Sequence, residues 1–289
     1  MTRVALLADI HANYPALQAV AQEVAAWDPD MVYVLGDIIN RGPRSQACLQ
    51  FLLEKEHEKN WHMIRGNHEE YVLQINAADS PKSGPAYDIL QFVHWTYKKL
   101  TPEELEQVSR LPYRIDRTLK TGHHIRMVHA SMSGIRAGIY PSTPQEKLPD
   151  MIHPAPDMLC VGHTHHPLIR DVKESTIINA GSVGLPFDGD PRASYVQLST
   201  SPNNIQIHIQ RVAYDREQAK QDFYDTGFFE EGGPMVRIIL TELETAQPLL
   251  SRWNRKYENK VRRGELSLQE SVDLFLSGLE GPHSEWTGA

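Results

Sequence analysis

The first 70 residues alternate short apolar runs with amphipathic stretches, and each apolar run stops at a polar cluster. "VALLAD" has the length of a strand and ends at Asp9. "PALQAVAQEVAAW" follows, with Pro15 suited to a first helical turn and apolar residues at helical spacing. "MVYVLGD" is a β-branched run closed by Gly36-Asp37, a helix is predicted over "RSQACLQFLLEKEH", and "WHMIRGNHEE" completes the series. Strand, helix, strand, helix, strand with short links reads as βαβ units on a parallel sheet. In such sheets ligands bind beyond the carboxyl ends of the strands, which is where the polar clusters fall.

Residues 71 to 110 read as helical, interrupted at "ADSPKSGPAYD". The second half changes character. "YRIDRTL", "HHIRMVHASM", "MLCVGHTH", "PLIRDVKE", "TIINAGSV", "ASYVQLS" and "IQIHIQRVAY" are short strand-like runs separated by Gly, Pro, Asn and Ser. Their polar ends echo those of the first half, so they predict a second, mixed or antiparallel sheet rather than an independent domain. Beyond about residue 214, "DREQAKQDFYDTGF", "VRIILTELETAQPLLSRWNRKYENKV" and "SLQESVDLFLSGL" read as helices. The expected organisation is a domain over 1–214 and a helical extension over 215–289 packed on it, as a cap or for homo-oligomer contacts.

With 289 residues the chain is long enough to bury a sizeable core. Its formal net charge is −8, with no run of like charges, which argues against extended nucleic-acid binding through a broad basic face. An acidic substrate remains compatible, because a bound metal outweighs a diffuse negative charge. Cys48 and Cys160 sit in apolar surroundings and make no disulfide framework. After Arg3 the N-terminal apolar run is too short for a signal-peptide core or a membrane span, so a cytoplasmic protein without membrane attachment is expected.

The polar clusters are Asp9-Ile10-His11, Gly36-Asp37, Gly66-Asn67-His68-Glu69, His129 after "IRMV", and Gly162-His163-Thr164-His165. They offer carboxylate, amide and imidazole donors without thiolates. That suits Mn, Fe, Zn, Ni or Co and speaks against a structural zinc knot. The set is too large for one ion and suits two that share a carboxylate. Extended backbone would point Asp9 and His11, and likewise His163 and His165, to the same side. Glycine before Asp37, Asn67 and His163 permits sharp turns and a close backbone approach to an ion. Each cluster alone has an ordinary explanation: a helix cap, a turn, a half-buried histidine. Their joint order, each closing a strand-like run, is what points to a site.

Together these motifs resemble the calcineurin-like metallophosphoesterase superfamily: D-x-H, GD, GNH with an acidic residue, a lone His, then G-H-x-H. The resemblance spans residues 4 to about 185. "INAGSVGLPFDGDPRASYVQL" is similar to a segment of the small bacterial, phosphodiesterase-like branch. It implies an α/β fold, a four-layer α/β/β/α sandwich with the C-terminal helices added. It also implies two divalent metal ions, manganese foremost, with Fe, Zn, Ni or Co as the other candidates. Asp9, His11 and His165 would hold one, Asn67, His129 and His163 the other, and Asp37 would bridge them. The implied reaction is hydrolysis of phosphomono- or phosphodiesters by in-line attack of a hydroxide shared by the ions. His68 would stay off the metals and contact the phosphate or protonate the leaving group, oriented by Glu69 or Asp9.

"GDIINRGPRS" and "RGNHE" also resemble motifs of the serine/threonine protein phosphatases, in which the arginine after GD clamps phosphate. Arg41 is the candidate clamp, beside the plainer reading of a turn residue before Gly42-Pro43. The match departs at Asn40, where those phosphatases carry Asp. His62 and His166 fall outside the ligand set, and His123 and His124 are expected on an exposed hairpin. The substrate implied is a phosphoester small molecule or nucleotide. A phosphoprotein phosphatase is one alternative, and a non-catalytic scaffold such as the retromer subunit of this superfamily is another. The complete ligand set argues against the scaffold.

Overall fold

Alternate residues of the central strands are apolar on both faces, and this dictates the layering. In β1 (Thr2–Leu7) Val4 and Leu6 enter one core while Ala5 and Leu7 enter another, and all four are fully buried. β2 (Met31–Val34) repeats the pattern, with Tyr33 opposed to Val32 and Val34. Strands buried on both faces need cover on both sides. In the computed structural model, which describes residues 1–58, 60–78 and 80–279, a second sheet supplies one cover and helices the other. Residues 280–289, the end of the expected extension, lie outside the described residues.

The remaining strands are β3 (Trp61–Met63), β4 (Arg114–Thr118), β5 (His124–Val128), β6 (Met158–Val161), β7 (Leu168–Val172), β8 (Ser175–Asn179), β9 (Ala193–Ser201) and β10 (Asn204–Val212). The first sheet runs β10-β9-β1-β2-β3 and the second β4-β5-β6-β8-β7. β1, β2 and β3 are parallel, joined by α1 (Tyr14–Trp27) and α2 (Ser45–Glu58), as the βαβ reading requires. The second sheet is mixed, with parallel pairs in its centre and antiparallel strands at both edges. One expectation fails. "ASYVQLS" and "IQIHIQRVAY" do not extend the second sheet; β9 returns to pair antiparallel with β1, Val196 opposite Leu6, and β10 pairs with β9. Val196 and Leu198 of β9 fill the inter-sheet core with Ile125, Met127, Met158 and Cys160, and the partly buried Ile207 and Ile209 of β10 pack against it. A local apolar pattern cannot say which sheet it will complete.

The helices are α3 (Asn67–Gln74), α4 (Pro85–Ile89), α5 (Gln91–Lys99), α6 (Pro102–Arg110), α7 (Leu148–Ile152), α8 (Arg216–Asp225), α9 (Phe228–Glu231), α10 (Met235–Thr245), α11 (Leu249–Trp253), α12 (Asn259–Arg262) and α13 (Leu268–Ser277). The long C-terminal helix suggested by the sequence is broken. Ala246 turns left-handed (φ 54°) and Pro248 cannot continue the ladder, so α10 stops. Ile238, Ile239 and Leu243 of α10 share one core with Leu17 and Val20 of α1. The outer face of the second sheet is covered thinly. Ile139, Leu148 and Ile152, from a loop and α7, pack on Val128, Leu159, Val161 and Ile177. Among the described residues no helix is long and apolar enough to cross a membrane. Both cysteines are buried free thiols.

Candidate metal centre

The polar clusters converge at the carboxyl ends of β1, β2, β3, β5 and β6, but not on extended backbone. β1 ends at Leu7 and β6 at Val161, before the clusters begin. Asp9 (φ 53°), His11 (φ 47°), Asp37 (φ 54°), His163 (φ 68°) and His165 (φ 58°) are all left-handed. The expectation that extended geometry aligns the i, i+2 pairs is therefore wrong; strained loops past the strand ends aim these side chains. Asp and His tolerate this region better than most residues, though each such residue still costs on the order of 1 kcal/mol. Glycine serves the carboxylates more than the backbone's approach to an ion. A Cβ on Gly66 would lie 2.2 Å from Asp37 Oδ1, and one on Gly162 would lie 2.6 Å from Asp9 Oδ2.

Three sets of ligand atoms gather, each within 4.8 Å: Asp9, His11 and His165; His11, Asp37 and His68; Asp37, His129 and His163. Each aspartate spends one oxygen on a backbone amide. Asp9 Oδ2 accepts from His163 N and Asp37 Oδ1 from His68 N, both at 2.8 Å. The other oxygens face imidazoles. Asp37 Oδ2 lies 3.6 Å from His11 Nε2 and 3.4 Å from His129 Nε2, between the two outer sets. Asp9 Oδ1 is buried without a hydrogen-bond partner. Asn67 adds its side-chain oxygen, 3.0 Å from His129 Nε2 and 2.7 Å from His163 Nδ1.

The tautomers follow from the backbone. His11, His165 and His129 each set Nδ1 against a carbonyl, of Asn40, Leu185 and Leu35 respectively. In the neutral rings of His11 and His165, an Nδ1–H donated there leaves Nε2 with its lone pair directed inward. The Nε2 atoms of His11 and His165 then face each other at 3.1 Å as two lone pairs. An orphaned carboxylate oxygen beside opposed imidazole lone pairs is a donor set that fits divalent cations. The electrostatics agree. Burial drives the Asp9 carboxyl upward, and it drives the neutral His11 and His165 well below the usual histidine range. His129 goes the other way: burial lowers it, but the charge and hydrogen bond of Asp37 outweigh that and carry it to about 10.

His68 is held differently. Asn40 Nδ2 donates to its Nδ1 at 2.9 Å, and Thr96 Oγ1 approaches Asn40 Oδ1 at 3.3 Å. With Nδ1 accepting, the proton sits on Nε2. Burial keeps the ring neutral, lowered to about 3. Glu69, expected to orient His68, instead accepts from the backbone N–H groups of Asp37, Ile38, Ile39 and Gly66 at 2.7–3.1 Å. It clamps the Asp37 loop onto the start of α3. Asn40 entered the sequence reading only as a departure from a motif, and its contact with His68 was not foreseen.

Arg41 (φ 64°) lies in the same loop, 7% exposed. Its guanidinium donates to Glu242 of α10, whose carboxylate is fully buried and also accepts from Leu250 N at 2.7 Å. The same guanidinium lies over the Phe187 ring (5.4 Å), and Phe187 stacks on His165 at 4.2 Å. Glu242 stands 201 residues from Arg41 and carried no signal in the sequence. His62 stacks on Tyr33, and His166 Nδ1 meets the Thr164 carbonyl, so both lie outside the three sets. His123 and His124 are half-buried rather than exposed, with His124 on Asp116.

A family model for calcineurin-like phosphoesterases matches residues 2–167, more than half of the chain. The chain belongs to the calcineurin-like phosphoesterase family. An uncharacterized protein of Methanocaldococcus jannaschii is 28% identical over 234 residues, 75% of this phosphoesterase and 89% of the relative. The phosphodiesterase YfcE of Escherichia coli is 25% identical over 204 residues, 68% of this chain and 88% of its own. The crystal structure of a metallophosphoesterase from Sphaerobacter thermophilus superposes with a TM-score of 0.63 at 25% identity, covering 85% of this chain and 99% of that one. The two-sheet α/β architecture is that of the family, and the chain is a hydrolase of phosphate esters. The family implies divalent metal ions, for which the three sets of donors are the candidates.

Proposed function

We propose that this phosphoesterase hydrolyses phosphodiesters with two divalent ions, manganese first among them. Asp9, His11 and His165 hold one, Asn67, His129 and His163 hold the other, and Asp37 is shared. The observation that carries this reading is the pair of inward lone pairs on His11 and His165 beside the orphaned Asp9 Oδ1. When bound, the ions supply Lewis acidity toward the phosphoryl oxygens and acidify water.

The chain's own groups do the rest. His68 carries its proton at Nε2, fixed there by Asn40, and donates that N–H as a hydrogen bond to the leaving oxygen, stabilising the charge that builds there; this matters most for alkyl esters, whose alkoxides leave poorly. Arg41 Nε is buried without a protein partner, which leaves an N–H for a phosphate oxygen while Glu242 fixes the rest of the guanidinium. Residues 1–214 carry the catalytic groups, and the helices beyond hold Arg41 in place. The diester preference leans on the YfcE match, which spans more than two thirds of both chains. Phosphoprotein and scaffold readings gain no comparable support.

The test is metal removal. Protein stripped by chelation is expected to be inactive on bis-p-nitrophenyl phosphate, with activity restored by manganese and two ions bound per chain. Two bound ions without turnover, for any divalent metal, would sink the hydrolytic mechanism.

A further inference from the structure

The helix that supplies Asn67 and His68 continues outward, and one turn on from His68 it places Tyr71, 37% exposed. The Tyr71 ring meets the His68 ring edge-on, with centroids 5.4 Å apart. Over Tyr71 lies the guanidinium of Arg136, 4.7 Å from the ring centroid and 48% exposed, with Glu70 at 3.4 Å. Arg136 belongs to the loop after His129, and that loop is seated on the site. A Cβ on Gly138 of that loop would lie 2.8 Å from His163 Cδ2. An exposed cation–π pair is therefore fixed beside the group that faces the leaving oxygen, from two elements that each carry candidate ligands.

We infer that Tyr71 and Arg136 form the leaving-group subsite and that the group it takes is a nucleotide. A leaving group hydrogen-bonded by His68 Nε2–H extends past the neighbouring ring. A planar base there adds a layer to the Tyr71–Arg136 stack, since guanidinium planes and aromatic rings both stack on bases. A small alkyl alcohol would gain nothing from either residue. This rests on the proposed role of His68 for its direction, but its binding arm can be read without turnover.

Metal-loaded full-chain protein is titrated with adenosine 5′-monophosphate and with inorganic phosphate, which share the phosphate and differ in the base. Wild type is expected to bind the nucleotide about tenfold more tightly than phosphate. Arg136→Ala and Tyr71→Ala close that gap, whereas Tyr71→Phe keeps it. In turnover the two alanine variants lose about tenfold more kcat/KM on a dinucleoside polyphosphate than on bis-p-nitrophenyl phosphate, chiefly through KM. Equal affinity of wild type for nucleotide and phosphate, or equal losses on both substrates, would overturn the subsite. A binding gap that Arg136→Ala closes, in protein that hydrolyses nothing, would uphold the subsite while removing the hydrolytic reading.

Discussion

Asp9, His11 and His165 lie on one side of Asp37, and Asn67, His129 and His163 on the other, and different things stand behind the two sides. On the first, His165 is backed by a half-buried Phe187, Phe187 by the buried Arg41, and Arg41 by the buried Glu242 of the C-terminal helices. On the second, His163 is half-buried and its loop leads to the exposed Arg136 and Tyr71. One flank is sealed by the chain's last quarter; the other opens toward solvent. A phosphoester would approach from the open flank, with the sealed one serving as a rigid wall. Rigid walls keep donors in place before a ligand arrives, which is the source of their electrostatic value.

Asp37→Ala removes the group common to both flanks. Metal content, read by elemental analysis, should fall below two per chain and turnover should drop by about a thousandfold or more. Two retained ions would show that the flanks do not depend on a shared carboxylate. Glu242→Ala strikes the sealed flank alone. It leaves the Arg41 charge buried without its partner, and denaturant unfolding should show a loss of about 3–5 kcal/mol. A loss within about 0.5 kcal/mol would mean that the wall is not rigid. His68→Ala lies at the opening and should have the smallest effect, about a hundredfold in turnover with metal content unchanged, larger for alkyl than for aryl esters. Loss of metal on this change would make His68 a ligand, as its proximity to His11 and Asp37 allows geometrically.

The sealed flank was the less legible of the two. "VALLAD", "MVYVLGD" and "MLCVGHTH" announce buried strands that end in donors, because strand periodicity and a polar stop are local properties. The candidate ligands and His68 were accordingly all visible as motifs. Their backbone was not. Five of the candidate ligands are left-handed, a conformation imposed by bonds such as Asp9 N to Gly36 O and His11 N to Asp37 O, which join separate loops. Glu69 illustrates the limit. Its position two residues after Asn67 suggested service to His68, whereas its carboxylate found four backbone amides that only the folded turn presents.

By itself, then, the sequence determined the family, the strand-ends that carry donors and the chemistry of the donor set, since each depends on residue types at short spacing. The tertiary structure decided the rest. It sent β9 and β10 back to the first sheet, gave His68 an amide partner in Asn40, and tied Arg41 to a carboxylate 201 residues away. These are contacts between distant segments, chosen by which buried surfaces and charges remain to be satisfied once the local elements have formed.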